Sequence, residues 1–201
     1  QQAPHYTHGI VFIAGNHDIS FDSKYGEYNV QDELEIGPKE KPSWLREMLA
    51  SLPSNVHYLE NRDVTIDGVK IWGSPVTPWF NGDKWAFNRH RGDDLMGVWK
   101  QIPLDTDVVV THSPVAYKLD YIPRSAEYTG CEQLRHCLEK VKPLIHICGH
   151  IHEGYGYDYD YKSGTNFFNA SICNHQYEPV NKPWEIEADF NLREISGNFI
   201  L

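Results

Sequence analysis

Three turns in this sequence carry side chains suited to metal chemistry, and each follows a run of apolar residues. Ile10–Ala14 runs into Gly15-Asn16-His17-Asp18, Val108–Val110 into Thr111-His112-Ser113-Pro114, and Leu144–Cys148 into Gly149-His150-Ile151-His152. An Asn amide oxygen with several imidazoles makes a mixed donor set suited to Zn, Mn or Fe. His17 can donate a proton, and the neighbouring Asp18 can orient its ring and raise its basicity. Each turn also has a plainer reading. Gly15–Asp18 can be an Asx turn with an incidental His, and His112 alone can be structural. His150 and His152, two apart directly after Gly149, form the most compact donor pair.

The elements that position these turns are legible as pattern. Short apolar runs bounded by turn residues read as buried strands of a parallel or mixed sheet. Ligands in such sheets bind outside the carboxyl ends of the strands. All three turns are therefore expected at one edge of one sheet. Residues 20–42 read as a long excursion. Ser43 is expected to cap a helix with Trp44, Leu45, Met48, Leu49 and Leu52 on its core face. A strand at Val56–Glu60 and a hairpin turning on Asp67-Gly68 follow. Helices are expected at Asp93–Lys100 and with Cys131, Leu134, Leu138 and Val141 on one face, the latter stopped by Pro143. After His152 the chain reads as strands at Tyr155–Tyr161, Phe167–Ala170 and Trp184–Phe190. The sum is an α/β layered fold in a single domain spanning residues 1–201, with two mixed sheets packed together and flanked by helices.

The bulk composition narrows the partners. The chain has 201 residues, 40% hydrophobic and 23% charged, which places it with globular proteins. Its net charge of −10 gives no general attraction to nucleic acid or to an anionic membrane. A phosphate-bearing substrate would need local cations to overcome that field. Cys131, Cys137, Cys148 and Cys173 form no C-x-x-C pair and read as reduced thiols of a cytoplasmic protein. No apolar stretch reaches the ~18 residues of a membrane span. Asn169-Ala170-Ser171 fits a glycosylation sequon but lies in a strand-like run, where chance is the better reading.

In order, G-N-H-[DE], T-H-x-P and G-H-x-H resemble the signature of the calcineurin-like metallophosphoesterases. Trp72-Gly73-Ser74-Pro75, Pro78–Gly82, Phe87-Asn88 with Arg91-Gly92, Gly149–Gly156 and Tyr177–Pro183 are similar to the metallophosphoesterase-domain-containing subgroup. The resemblance implies a metal-dependent hydrolase of phosphodiesters, cyclic nucleotides among them, or of phosphomonoesters. It places Asn16, His112 and His150 on one metal and His152 on the other. It makes His17 the phosphate contact or leaving-group acid, with Asp18 as its partner. It further implies two divalent ions (Mn, Fe or Zn) ~3.5–4 Å apart and a metal-bridging hydroxide as nucleophile.

The same resemblance exposes a gap. The family pattern opens with D-x-H and G-D, and residues 1–14 contain no Asp. Two strand–helix units, on the order of 60 residues, are expected to be missing from the N-terminal side. Asn16, His112 and His150 alone bring no negative charge, so at most one ion is expected, weakly held. His5 and His8 precede the first strand and are expected at its far end. The alternative reading is a catalytically inactive, protein-binding module of the same fold.

Overall fold

The computed structural model describes residues 8–25, 41–82 and 84–197. Its strands are β1 (Ile10–Phe12), β2 (Val56–Tyr58), β3 (Arg62–Ile66), β4 (Val69–Ser74), β5 (Thr77–Pro78), β6 (Asn88–Arg89), β7 (Val108–Thr111), β8 (Tyr121–Ile122), β9 (Glu127–Tyr128), β10 (Ile145–Cys148), β11 (Gly156–Asp160), β12 (Thr165–Asn169), β13 (Glu187–Asp189) and β14 (Glu194–Ser196). The helices are α1 (Ser43–Ala50), α2 (Asp93–Trp99) and α3 (Glu132–Val141). Residues 26–40, most of the expected excursion, lie outside the described residues, as does His5.

Six strands form the main sheet in the order β11-β12-β10-β7-β4-β3. The inner strands β12, β10, β7 and β4 run parallel, and the outer two are antiparallel to their neighbours. β7 shows why its sequence is a continuous apolar run. Val109 packs with Trp72, Trp99 and Leu134 under α2 and α3, while Val108 and Val110 face Phe168, Leu144 and the Trp184–Ile195 tail. With both faces covered, every position favours an apolar side chain.

The expectation of one sheet edge is corrected. β1 does not join the main sheet. It pairs in parallel with β2 in a separate two-stranded sheet, and Ile10 is 40% exposed. The two layers meet at Gly73. A Cβ there would stand 2.6 Å from Leu59 Cβ and 2.9 Å from Ile13 Cγ2, so only glycine lets the main chain of β4 lie against the second layer. Gly73 is out of phase with Trp72, so this contact falls on the sheet face opposite α2 and α3.

Local chemistry explains most boundaries. Asp67 and Gly68 both take positive φ (50° and 84°), the requirement of a tight hairpin turn between β3 and β4. Asp94 accepts the His90 N–H at 3.0 Å ahead of α2. Cys131 is the N-cap of α3 rather than a helical residue, its sulfur accepting the Leu134 N–H at 3.4 Å. Lys142 ends α3 in the left-handed conformation, immediately before Pro143.

Three further expectations are corrected. Ser43 is not a cap; Pro42 holds that position, and no side chain bonds the first turn. Trp44 and Met48 are exposed, and of the α1 residues only Leu45 is buried. Trp184 is not in a strand. Its indole N–H donates to Asn169 O at 3.0 Å, and the tail strand is the exposed Glu187–Asp189, hairpinned to β14. The sequon residue Asn169 is fully buried, with its amide donating to Ile151 O and accepting from Ser171 N. A glycan has no room there.

Candidate active site

The first turn closes on itself. Asp18 Oδ2 accepts the Gly15 N–H at 2.7 Å, and Asp18 N donates to Gly15 O at 3.0 Å. This carboxylate therefore shapes the loop that presents Asn16 and His17. His17 sits exposed beside it, with its ring edge-on to Trp85 at 4.7 Å. Asn16 is buried, and its carbonyl is held by Ala86 N at 3.0 Å.

The second turn leaves the end of β7. His112 N donates to Ser74 O on the neighbouring strand, and His112 O accepts from Gly149 N at the start of the third turn. These bonds tie the ends of β4, β7 and β10 together. As a result Asn16 Oδ1 and His112 Nε2 lie 2.7 Å apart, and the His112 and His150 rings lie 4.8 Å apart. His150 takes a φ of 66°, a left-handed conformation uncommon for a non-glycine residue, and packs edge-on against Phe80 at 5.0 Å. The two layers thus bring together side chains separated by more than 130 residues.

His152 stands slightly apart, opening a short 3-10 turn that runs to Gly154. Its Nδ1 lies 2.9 Å from Asn174 O, so Nδ1–H donates to that carbonyl. That is the backing usually found behind a ligating imidazole. His8 lies elsewhere, against Asp67 in the β3–β4 turn.

Burial pushes His112 down to about 4, helped by the charges of His17 and His152. It pushes His150 down to about 3, with His112, His152 and His17 adding to the effect. Both imidazoles are therefore neutral near pH 7, the form in which a lone pair can ligate. Among the described residues, no three His, Cys, Asp or Glu side chains converge to hold a metal. Asp18 is committed to Gly15, and Asp22 accepts from Phe87 N and Lys24 N.

A cleft of about 420 Å³ opens beside His150, walled by Trp79, Phe80 and Tyr128 and edged by Ser113, Arg91 and Thr129. Trp79 and Phe80 belong to the Pro78–Gly82 segment that resembles the subgroup. Trp85 backs the cleft by stacking on Phe80. Tyr155 does not contribute, because it stacks on Trp184 at 5.2 Å. Sequence reasoning missed Ser113, Tyr128 and Thr129, since the stretch after His112 reads as a featureless polar linker. It also missed Asn174, which acts through a backbone carbonyl that every residue type possesses.

The model of the calcineurin-like phosphoesterase family matches residues 2–154. The chain belongs to that family. Metallophosphoesterase domain-containing protein 1 of Homo sapiens is 39% identical over 186 residues, covering 90% of this chain and 55% of that protein. A UPF0046 protein of Caenorhabditis elegans is 34% identical over 193 residues, covering 89% of this chain and 46% of that protein. The chain thus spans about half the length of these relatives. The solved structure of TT1561 from Thermus thermophilus superposes with a TM-score of 0.53 at 12% identity, over 94% of this chain and 72% of that one. At that identity the likeness concerns the layered fold alone. Among the described residues, no helix is long and apolar enough to cross a membrane.

One prediction arises directly from the family's first turn. A Cβ on Gly15 would lie 2.6 Å from His112 Cε1. Gly15→Ala is expected to push the His112 ring off Asn16, with Tm falling by about 5 °C, the order expected of 1–3 kcal/mol of overpacking, and to weaken at least tenfold any Mn²⁺ binding that the parent chain shows. Calorimetric titration and thermal melts check it. Unchanged Mn²⁺ affinity would show that the close approach is not needed.

Proposed function

We propose that this chain provides the imidazole-and-amide part of a metal-dependent phosphoesterase centre. Its substrates would be phosphodiesters, cyclic nucleotides among them, or phosphomonoesters. The observation that carries this reading is the meeting of Asn16 Oδ1, His112 Nε2 and the His150 ring beside an aromatic-walled cleft. Two half-buried neutral imidazoles and an uncharged amide oxygen fit one divalent cation of the Mn, Fe or Zn type, held weakly because none of these three donors offsets its charge. A cation held there would polarise phosphoryl oxygens and make water more acidic. His152, backed by Asn174 O, would hold a second cation only with acidic ligands beyond the described residues.

The chain's own side chains account for the remaining work. His17, exposed next to the metal-binding turn, contacts the phosphate or protonates the leaving oxygen. Asp18, by closing the turn on Gly15 N–H, sets where Asn16 and His17 stand. Trp79, Phe80 and Tyr128 give a flat organic leaving group faces to stack on. Net charge −10 disfavours phosphate polymers, so a small ester is the substrate this surface suits.

A second reading draws on a specific observation: among the described residues, no three His, Cys, Asp or Glu side chains converge to hold a metal. On that reading the chain is an inactive module that binds a protein partner. The two are separated by measuring Mn²⁺-dependent, chelator-sensitive hydrolysis of bis(p-nitrophenyl) phosphate together with Mn²⁺ titration. The chain is expected to bind one Mn²⁺ or fewer, weakly, and His112→Ala or His150→Ala is expected to remove that binding. Mn²⁺ affinity indifferent to both substitutions, with no hydrolysis by the longest natural form, would sink the enzymatic reading.

A further inference from the structure

A second cleft of about 400 Å³ lies between α2 and α3, far from the histidine turns. Its position follows from the topology. Ile102 and Leu104 lead into the start of β7, and Val141 leads into the start of β10. These strands are parallel, and His112 and His150 lie beyond their opposite ends.

The floor is apolar. Trp99, Ile102 and Cys137 are buried, and Met96 and Val141 pack beside them. Leu104 stands at the mouth, 75% exposed. Lys100, His136 and Lys140 supply the polar edge, and among the described residues no Asp or Glu lines the cleft. The acidic residues nearest in sequence are already engaged, Asp105 by Lys70 and Glu139 by Arg135. Among the described residues, none of the three basic side chains has an ion-pair partner. Complementing the negative ends of α2 and α3 explains lysines at helix C-termini. It does not explain an apolar trough free of carboxylates in a chain of net charge −10.

We propose that this cleft binds a medium-chain aliphatic carboxylate, its tail along Met96, Leu104 and Val141 above the buried floor and its head between Lys100 and Lys140. The volume lies within the 300–1,000 Å³ range of small-molecule sites. The charge complementarity selects an anionic head over a neutral or cationic one. The inference does not depend on the phosphoesterase reading.

The test is calorimetric titration of the full chain with laurate below its micelle concentration. One saturable site is expected, weakened at least tenfold by Lys100→Glu combined with Lys140→Glu. Both substitutions are at the surface and leave the core intact. Dodecyltrimethylammonium, with the same tail and opposite charge, is expected not to saturate. His150→Ala is expected to bind laurate normally. Absence of saturable laurate binding overturns the proposal. So do equal binding by the charge-reversed chain, equal binding of the cationic amphiphile, or loss in His150→Ala.

Discussion

Gly154→Ala is expected to destabilise the protein by at least about 3 kcal/mol, near the upper end of ordinary single substitutions. A Cβ at this position would stand 2.0 Å from Leu119 O and 2.8 Å from Asn169 Nδ2. Neither neighbour can give way cheaply. Leu119 is held at a φ of 56°, and the Asn169 amide already bonds both Leu119 O and Ile151 O. The backbone itself must move, and with it the turn that begins at His152. For a chain of this length the change corresponds to a drop in Tm of roughly 6–12 °C. Gly97→Ala is the matched control. It lies within α2 with nothing within 4 Å of its would-be Cβ, and is expected to stabilise by about 0.5–1 kcal/mol. Thermal melts that place both variants within 1–2 °C of the parent, roughly the spread of ordinary surface substitutions, would refute the packing argument.

The second large effect is a steep loss of stability in mild acid, without metal. His146 is buried and His112 and His150 are half-buried, and loss of hydration pushes His112, His146 and His150 down to about 4, about 3 and about 3. An unfolded His titrates near 6.5, so below that pH the unfolded chain takes up protons that the folded chain refuses. The contribution is complete above pH 6.5 and drains away as the pH falls toward the folded values. Each such group costs up to about 1.4 kcal/mol per pH unit within its window. Three together would exhaust much of a typical 5–15 kcal/mol by about pH 5, before most carboxylates titrate. His146 isolates the effect from the site. Its Nε2 lies 2.9 Å from Thr111 Oγ1, and its Nδ1 is buried with no hydrogen-bond partner. Urea midpoints from pH 8 to pH 5 are expected to fall steeply for the parent and about one third less steeply for His146→Leu. A flat profile for the parent would show that these rings reach water.

How much of this was legible depends on what kind of atom does the work. Side-chain donors announce themselves, and Asn16, His112 and His150 do meet. The hairpin at Asp67-Gly68 was equally plain, because two consecutive positive φ angles demand those residue types. Layer membership was not legible. Ile10–Ala14 and Val108–Val110 have the same pattern, yet one run forms half of a parallel pair and the other the centre of six strands. Helical spacing also overstated burial in α1, where an eight-residue segment carries Trp44 outward. The β13–β14 hairpin turns with Arg193 at a φ of 55°, a position usually signalled by Gly or Asn, and so left no trace. The groups that aim the histidines, Ser74 O and Asn174 O, are main-chain atoms and carry no residue code.

The seam at Gly73 has a consequence for how such a centre responds to its surroundings. Asn16 is carried by the smaller layer, whereas His112 and His150 ride together on the larger one. A slip of one layer over the other changes the Asn16–His112 spacing and leaves the two imidazoles in register. The donor set therefore behaves as a pair plus a movable third arm. Whatever braces or shears the smaller layer acts as a vernier on the Asn16–His112 spacing without touching either side chain.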